Sequence, residues 1–240
     1  MVACMGSLTI VIPALDEAAI IAATLQALAP LRDRGAEVIV VDGGSGDGTP
    51  ALARPLADRV IIRRGDRGAA MNVGAALGAG DAFVFLHADT ILPDDADRLI
   101  AAALARRPWG RFNLRITGRH PLLALVARMI NWRSRLTGIA TGDQAFFVAR
   151  KTFWAVGGFP DLPLMEDIAL SRRLKQVCRP FCIATPAVTS GRRWDYHGFL
   201  RTIVLMWRLR LAYYCGVAPA RLALAYGRVP PSPAQSGARP

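Results

Sequence analysis

Three groups of polar residues stand directly at the ends of apolar runs, where a fold of strands and helices presents side chains to a ligand. The first is Asp42-Gly43-Gly44-Ser45-Gly46-Asp47-Gly48-Thr49. A carboxylate at a strand end can accept hydrogen bonds from a base or a ribose, and glycines let the backbone come close to that ligand. A tight turn with Asp47 or Thr49 capping a helix uses the same residues. The glycine spacing is GxGxG and follows the second apolar run, so the GxGxxG fingerprint of a dinucleotide-binding dehydrogenase is missing. The second group is His87-Ala88-Asp89. Strand residues i and i+2 share a face, so both side chains point the same way. A carboxylate there suits a hard divalent cation bridging substrate phosphates, although an Asp in such a place also serves as a cap or a hydrogen-bond acceptor. The third group is Glu166-Asp167, at the start of a helical pattern. Two carboxylates there either meet the helix dipole or do acid–base work. In the second case Asp167 takes the proton of an acceptor hydroxyl, and Glu166 binds the acceptor or raises its neighbour's pKa.

The elements that must hold these groups alternate. Residues 8–12, 37–41, 59–62 and 82–86 read as short strands, with helical spacing over 16–28, 49–57, 68–79 and 93–106. Asp16 and Glu17 fall in the first turn of the first helix, and Pro93 opens the last. This order predicts an α/β fold with a mostly parallel central sheet flanked by helices. Such sheets bind ligands at the carboxyl ends of their strands. The second half is less regular, with strands at 111–116, 144–149 and 180–184 and helices at 121–136, 164–177 and 199–214. We expect one domain over 7–228: a nucleotide-binding half, 7–110, and an acceptor and catalytic half, 111–228, with a C-terminal amphipathic helix. Residues 229–240, rich in Pro, Ser and Gly, are expected to be a disordered tail.

A chain of 240 residues, 52% hydrophobic, has material for one large core. Its net charge is +12, and nearly all of the basic residues are arginine, lysine occurring only at Lys151 and Lys175. That surplus suits phosphate-rich small molecules, an anionic membrane face or nucleic acid; a compositional bias of the source genome also accounts for it. No zinc finger, helix-turn-helix or aromatic-basic RNA motif stands out, so nucleic acid is not an expected partner. Cys4, Cys178, Cys182 and Cys215 form no CxxC pair and read as reduced cytosolic thiols. The opening residues lack a basic n-region and read as a core strand and not a signal peptide. No apolar stretch reaches the ~18 residues of a membrane span. The expected location is cytoplasmic, with a peripheral place on the inner membrane face as a second reading. In support, arginines over 121–136 and 199–214 mix with Leu, Ile, Trp and Tyr in a pattern that fits an anionic bilayer presenting a lipid-linked acceptor. Ordinary amphipathic helices packed on the sheet, with solvated arginines, fit that pattern too.

In their order the motifs resemble those of family-2 glycosyltransferases of the GT-A fold, from about Leu8 to Leu174. Thr9-Ile10-Val11-Ile12-Pro13-Ala14-Leu15-Asp16-Glu17 is similar to the family's S/T-x-V-I-P-x-x-N-E, with Asp16 in place of Asn. Val40-Val41-Asp42 with Ser45, Asp47 and Thr49 resembles V-V-D-D-G-S-x-D-x-T, and Arg67 to Gly74 resembles G-x-A-x-A-R-N-x-G. Phe85-Leu86-His87-Ala88-Asp89 takes the place of F-L-D-A-D, the DXD metal motif. Gly157-Gly158-Phe159 and Met165 to Leu170 resemble G-G-F and x-E-D-x-D-L. The Leu-His-Ala-Asp-Thr version, Thr141 to Phe147, Pro163 to Ile168 and Arg193-Trp194 together resemble a small bacterial subgroup.

The resemblance implies an inverting, metal-assisted transfer of a sugar from a nucleoside-diphosphate donor to an acceptor hydroxyl. It implies that Pro13, Ala14, Leu15, Glu17, Asp42 and Gly44 hold the base and ribose. Arg67, Asn72, His87, Ala88 and Arg193, with Arg192, lie along the nucleotide-sugar. Asp89 binds Mg²⁺ or Mn²⁺, Asp167 is the base with Glu166 beside it, and Asp143, Gln144 and Trp194 line the acceptor pocket. Three departures bear on this. His87 replaces the first Asp of DXD, which removes one negative charge from the metal site. Gly43 replaces the second Asp of the D-D-G-S loop. Ser190 stands where a processive polymerase has the Gln of Q-x-x-R-W, which speaks against a polysaccharide synthase. Two other readings are a nucleotidyltransferase, which would carry a Gly-rich basic loop after the first strand, and a sugar-nucleotide-binding module without turnover.

Overall fold

The computed structural model describes residues 7–227, with the side chains of Arg193 and His197 outside the described part. The first strands are Leu8–Ala14 (β1), Glu37–Asp42 (β2), Arg59–Ile62 (β3) and Ala82–Phe85 (β4), followed by the two-residue Thr90–Ile91 (β5). Their helices are Ile21–Ala27 (α1), Ala29–Asp33 (α2), Thr49–Ala53 (α3), Arg67–Leu77 (α4) and Ala96–Leu104 (α5). The alternation of a strand separates its two faces. Leu8, Ile10 and Ile12 pack with Ile21, Leu25, Leu31 and Ile100 from α1, α2 and α5. Val11, Ile39 and Val41 meet Ala70, Met71 and Ala75 of α4 on the other side. The approach of α4 is close: a Cβ on Gly74 would stand 2.3 Å from Cγ1 of Val11.

The remaining elements are Trp109–Thr117 (β6), Leu123–Thr137 (α6), Phe146–Ala149 (β7), Arg150–Ala155 (α7), Glu166–Val177 (α8), Phe181–Ser190 (β8), Arg192–His197 (α9), Phe199–Tyr214 (α10) and Pro219–Ala225 (α11). All eight strands form one sheet in the order β3-β2-β1-β4-β7-β6-β8-β5. The β1–β2, β1–β4, β2–β3 and β6–β8 pairs are parallel, and β7 and β5 run against their neighbours. The sheet is thus mostly parallel, as the sequence predicts. The fully buried Arg111 of β6 clamps α6 by donating to Ser134 Oγ, Asn113 Oδ1 and the Phe112 and Asn131 carbonyls; burial pushes its pKa down to about 10.

Several expectations are corrected. The first helix starts at Ile21 and not at residue 16, because Asp16 has φ +52° and its carboxylate accepts from the Gly46 amide. The helix expected from Pro93 starts at Ala96. The late strand runs on to Ser190, past a register shift, because β6 pairs along it and β5 adds to its end. The expected tail, 229–240, lies outside the described residues.

Candidate functional site

The loops after β1 and β2 are stitched together. The Asp16 amide donates to Ser45 Oγ at 2.8 Å, the Glu17 amide to Thr49 Oγ1 at 2.8 Å and the Ala18 amide to Asp47 Oδ2 at 2.9 Å. The hydrogen bond from the Thr49 hydroxyl, followed by that from the Ala18 amide, lowers the Asp47 pKa. Asp42, fully buried, accepts from the Gly44 and Ser45 amides at 2.8 Å each and from the Ser45 hydroxyl at 2.6 Å. This network sets the position of Glu17, whose carboxylate pairs with Arg192.

The loop after β4 carries His87 and Asp89. Pairing of β5 with the end of β8 brings Asp89 beside Thr189 and Ser190, a hundred residues away in the chain. Among the described residues the Asp89 carboxylate makes only long contacts: Thr189 Oγ1 at 3.4 Å, Thr90 Oγ1 at 3.5 Å and Arg192 Nε at 3.7 Å. His87 Nδ1 lies 2.9 Å from Asp143 Oδ1, and its Nε2 lies 3.3 Å from Arg67 Nη1. Arginine only donates, so this geometry makes Nε2 the acceptor and places the proton on Nδ1, toward Asp143. Gly142 makes room for the ring, since a Cβ there would sit 2.2 Å from Nε2. Desolvation in the cleft acts to raise the Asp143 pKa, but the His87 hydrogen bond and the charges of Arg67 and Arg210 outweigh it and hold it at about 2. Arg67 also faces the buried Glu166, with Nη1 at 3.8 Å from Oε1. Desolvation opposes its charge, but Glu166, Tyr226, Asp143 and Asp167 raise its pKa.

Asp167 is in the first turn of α8, after Met165 at φ +69°. Its Oδ2 accepts from the Gly142 amide at 3.0 Å and its Oδ1 from the Ile168 amide at 2.7 Å. Asp167 and Asp89 line two cavities, of about 90 and about 550 Å³, which share Arg67, His87, Asp143, Met206 and Tyr226 as walls.

Of the residues singled out in the sequence, Pro13, Glu17, Arg67, His87, Ala88, Asp89, Asp143 and Trp194 line the larger cavity, and Glu166 and Asp167 the smaller. Ala14, Leu15, Asp42, Gly44, Asn72 and Gln144 line neither. Leu15 is exposed on its loop and Ala14 accepts from the Gly43 amide. Asn72 is spent on the Phe159 backbone, and Gln144 on Thr141 and Asn131. Trp194 lies in α9, and the Arg193 side chain lies outside the described part. Sequence reasoning missed Thr189, Thr202, Met206, Arg210 and Tyr226, which long-range pairing and the C-terminal helices bring to the cleft. Among the described residues no group of three or more His, Cys, Asp or Glu could enclose a metal. Asp89 does suit Mg²⁺, which binds through one or two carboxylates together with water and substrate phosphates.

A parallel N-terminal half joined to a mixed half, with a cleft at the strand ends, defines the GT-A fold. The family model Glycosyl transferase family 2 matches residues 9–118, somewhat under half of the chain. Over 106 residues it is 42% identical to the succinoglycan biosynthesis protein ExoA of Rhizobium meliloti (strain 1021), with 40% of this chain and 32% of that one aligned. The chain thus spans about a third of that curated relative's length. Among solved structures, the mannosyltransferase PcManGT from Pyrobaculum calidifontis, in complex with GDP-Man and Mn²⁺, superposes with TM-score 0.63 at 22% identity, covering 94% of this chain and 70% of that one. Glucosyl-3-phosphoglycerate synthase from Mycobacterium tuberculosis, in complex with Mn²⁺, UDP and phosphoglyceric acid, gives TM-score 0.60 at 22% identity, with coverage of 88% and 79%.

Proposed function

We propose that this chain moves a sugar from a nucleoside-diphosphate donor to an acceptor hydroxyl, with inversion at the anomeric carbon. The observation that carries the proposal is the pair of cavities with shared walls, one with Asp89 and Arg192, the other with Asp167, and Arg67 in the lining of both. The two solved relatives named above bind GDP-Man or UDP together with Mn²⁺, which supports a donor of this class. Asp89 would hold Mg²⁺ or Mn²⁺, which when bound offsets charge on the departing diphosphate.

The protein's own groups do the rest. Arg67 and Arg192 face the large cavity and give the diphosphate fixed positive partners. Asp167 takes the proton of the acceptor hydroxyl as its oxygen attacks the anomeric carbon. The carbon–oxygen bond to the diphosphate breaks on the opposite side, and the nucleoside diphosphate leaves. One base and one displacement give inversion, whereas glycoside hydrolases work with two carboxylates. His87 and Asp143 hold Arg67 in place by the chain of contacts already described.

The test is a reaction with nucleotide-sugar donors in which products are identified by NMR. Nucleoside diphosphate and an inverted glycoside are expected. Pyrophosphate would instead mark a nucleotidyltransferase. Donor binding without any product would mark a binding module, a reading favoured by the engagement of both His87 nitrogens with protein.

A further inference from the structure

Two of the helices that wall the cleft carry apolar stripes on their outer faces. On α6, Leu122 at its cap, Leu125, Met129, Trp132 and Leu136 recur at spacings of three and four and are all exposed, Trp132 to 66%. On α10, Leu200, Val204, Trp207, Leu211 and Tyr214 do the same, with Leu200 at 74% and Trp207 at 65%. The inner faces of these helices are already packed. Leu123, Ala127 and Ser134 of α6 and Thr202 and Leu209 of α10 are buried, and Ile130, Thr202 and Met206 line the large cavity. The outer stripes are therefore surplus to the core, and packing on the sheet does not account for them.

Charge says what fits there. Neither helix contains an Asp or Glu, while Arg128, Arg135, Arg201 and Arg208 are exposed among the apolar residues. In a two-fold dimer the same patch faces itself, so these guanidinium groups would oppose one another with no acid on either helix to pair with. Nucleic acid would meet the charge but leave Leu, Val and Met without an apolar partner. An anionic phospholipid surface satisfies both: acyl chains take the Leu, Val, Met and Trp side chains, and headgroup phosphates take the arginines. Among the described residues no helix is long and apolar enough to cross a membrane, so this contact lies in the plane of the surface.

We infer that the outer faces of α6 and α10 seat the protein on an anionic phospholipid membrane, with the cleft held at the lipid surface. The inference deepens the transfer reading by placing the site where a lipid-linked acceptor hydroxyl would be presented. It stands on different residues and can fail separately.

The test is flotation of the full chain with vesicles of phosphatidylcholine alone or mixed with phosphatidylglycerol. Binding to the mixed vesicles is expected, weakening with added salt, with a blue shift of tryptophan emission. Trp132→Glu with Trp207→Glu, and separately Arg201→Glu with Arg208→Glu, should each lower partitioning by about tenfold or more, with circular dichroism and melting unchanged. If a double variant fails to fold, the salt dependence and emission shift of the wild-type protein still decide. No partitioning onto mixed vesicles would overturn the inference. So would a concentration-dependent dimer that Trp207→Glu dissociates and vesicles do not. Flotation reads no sugar transfer, so its failure leaves the catalytic proposal standing.

Discussion

Asp42 and Asp89 both follow central parallel strands, one at the end of β2 and one shortly after β4, yet they live in opposite conditions. Asp42 is fully buried and accepts three hydrogen bonds of 2.8 Å or less from its own loop. Asp89 lines the cavity, and among the described residues the nearest partners of its carboxylate stand at 3.4 to 3.7 Å. A carboxylate filled by its own chain shapes a loop; one with lone pairs to spare can take a ligand. Strand-end position alone does not distinguish the two, since it is the donors folded back over each carboxylate that decide.

The largest expected effect sharpens the comparison by adding a third carboxylate. Asp167→Asn should lower the transfer rate by roughly 10²–10⁴-fold, with donor affinity in calorimetry unchanged. An equal loss of affinity would move Asp167 from the acceptor side to the donor side. Next, Asp42→Asn should cost about 2–3 kcal/mol in urea unfolding, since it disturbs buried hydrogen bonds to a charged acceptor. Asp89→Asn should stay within about 0.5 kcal/mol. Equal melting of the two variants would break the comparison outright. Asp89→Asn should in turn weaken Mn²⁺-dependent donor binding by at least about tenfold, measured by the same calorimetry.

The smallest effect concerns Asp143. Its pKa in the folded protein, about 2, lies below the ordinary 3.8, so its stabilising contribution is complete above pH 4 and is lost as the pH falls toward 2. Its side chain is half exposed, so Asp143→Asn should cost only about 1 kcal/mol or less at pH 7. The deficit should shrink as the pH falls below about 4 and vanish only below about pH 2 in a series of thermal melts.

The apolar β-branched runs made β1, β2 and β4 legible, and helical spacing gave α10 with its observed limits. Thr90–Ile91 carries no such signal, because two residues become a strand only by pairing with Thr189 and Val188. The extension of β8 to Ser190 has the same origin, and with it the nearness of Arg192 to Asp89. Helix spacing could mark Asn72 as polar on α4, but not that both ends of its amide meet the Phe159 backbone. His-x-Asp suggested two side chains sharing a strand face; both line one cleft, but from the loop after β4, because the strand ends at Phe85. The tie of His87 to Asp143 was invisible, since it depends on a 3₁₀ turn, Gly142–Gln144, brought in beside β7. The sequence placed arginines among apolar residues over 121–136 and 199–214, and the exposure of Trp132 and Trp207 shows that those apolar stripes face outward.

The most direct measurement is a thermal-shift titration of the wild-type and Asp89→Asn proteins with UDP- and GDP-sugars, with and without Mn²⁺. A bound donor at about a hundred times its Kd stabilises the fold by about 2.7 kcal/mol. The account predicts a melting temperature that climbs with at least one donor, climbs further with Mn²⁺, and loses the Mn²⁺ increment in Asp89→Asn. A flat response to every donor, or a full Mn²⁺ increment without the Asp89 carboxylate, would contradict it.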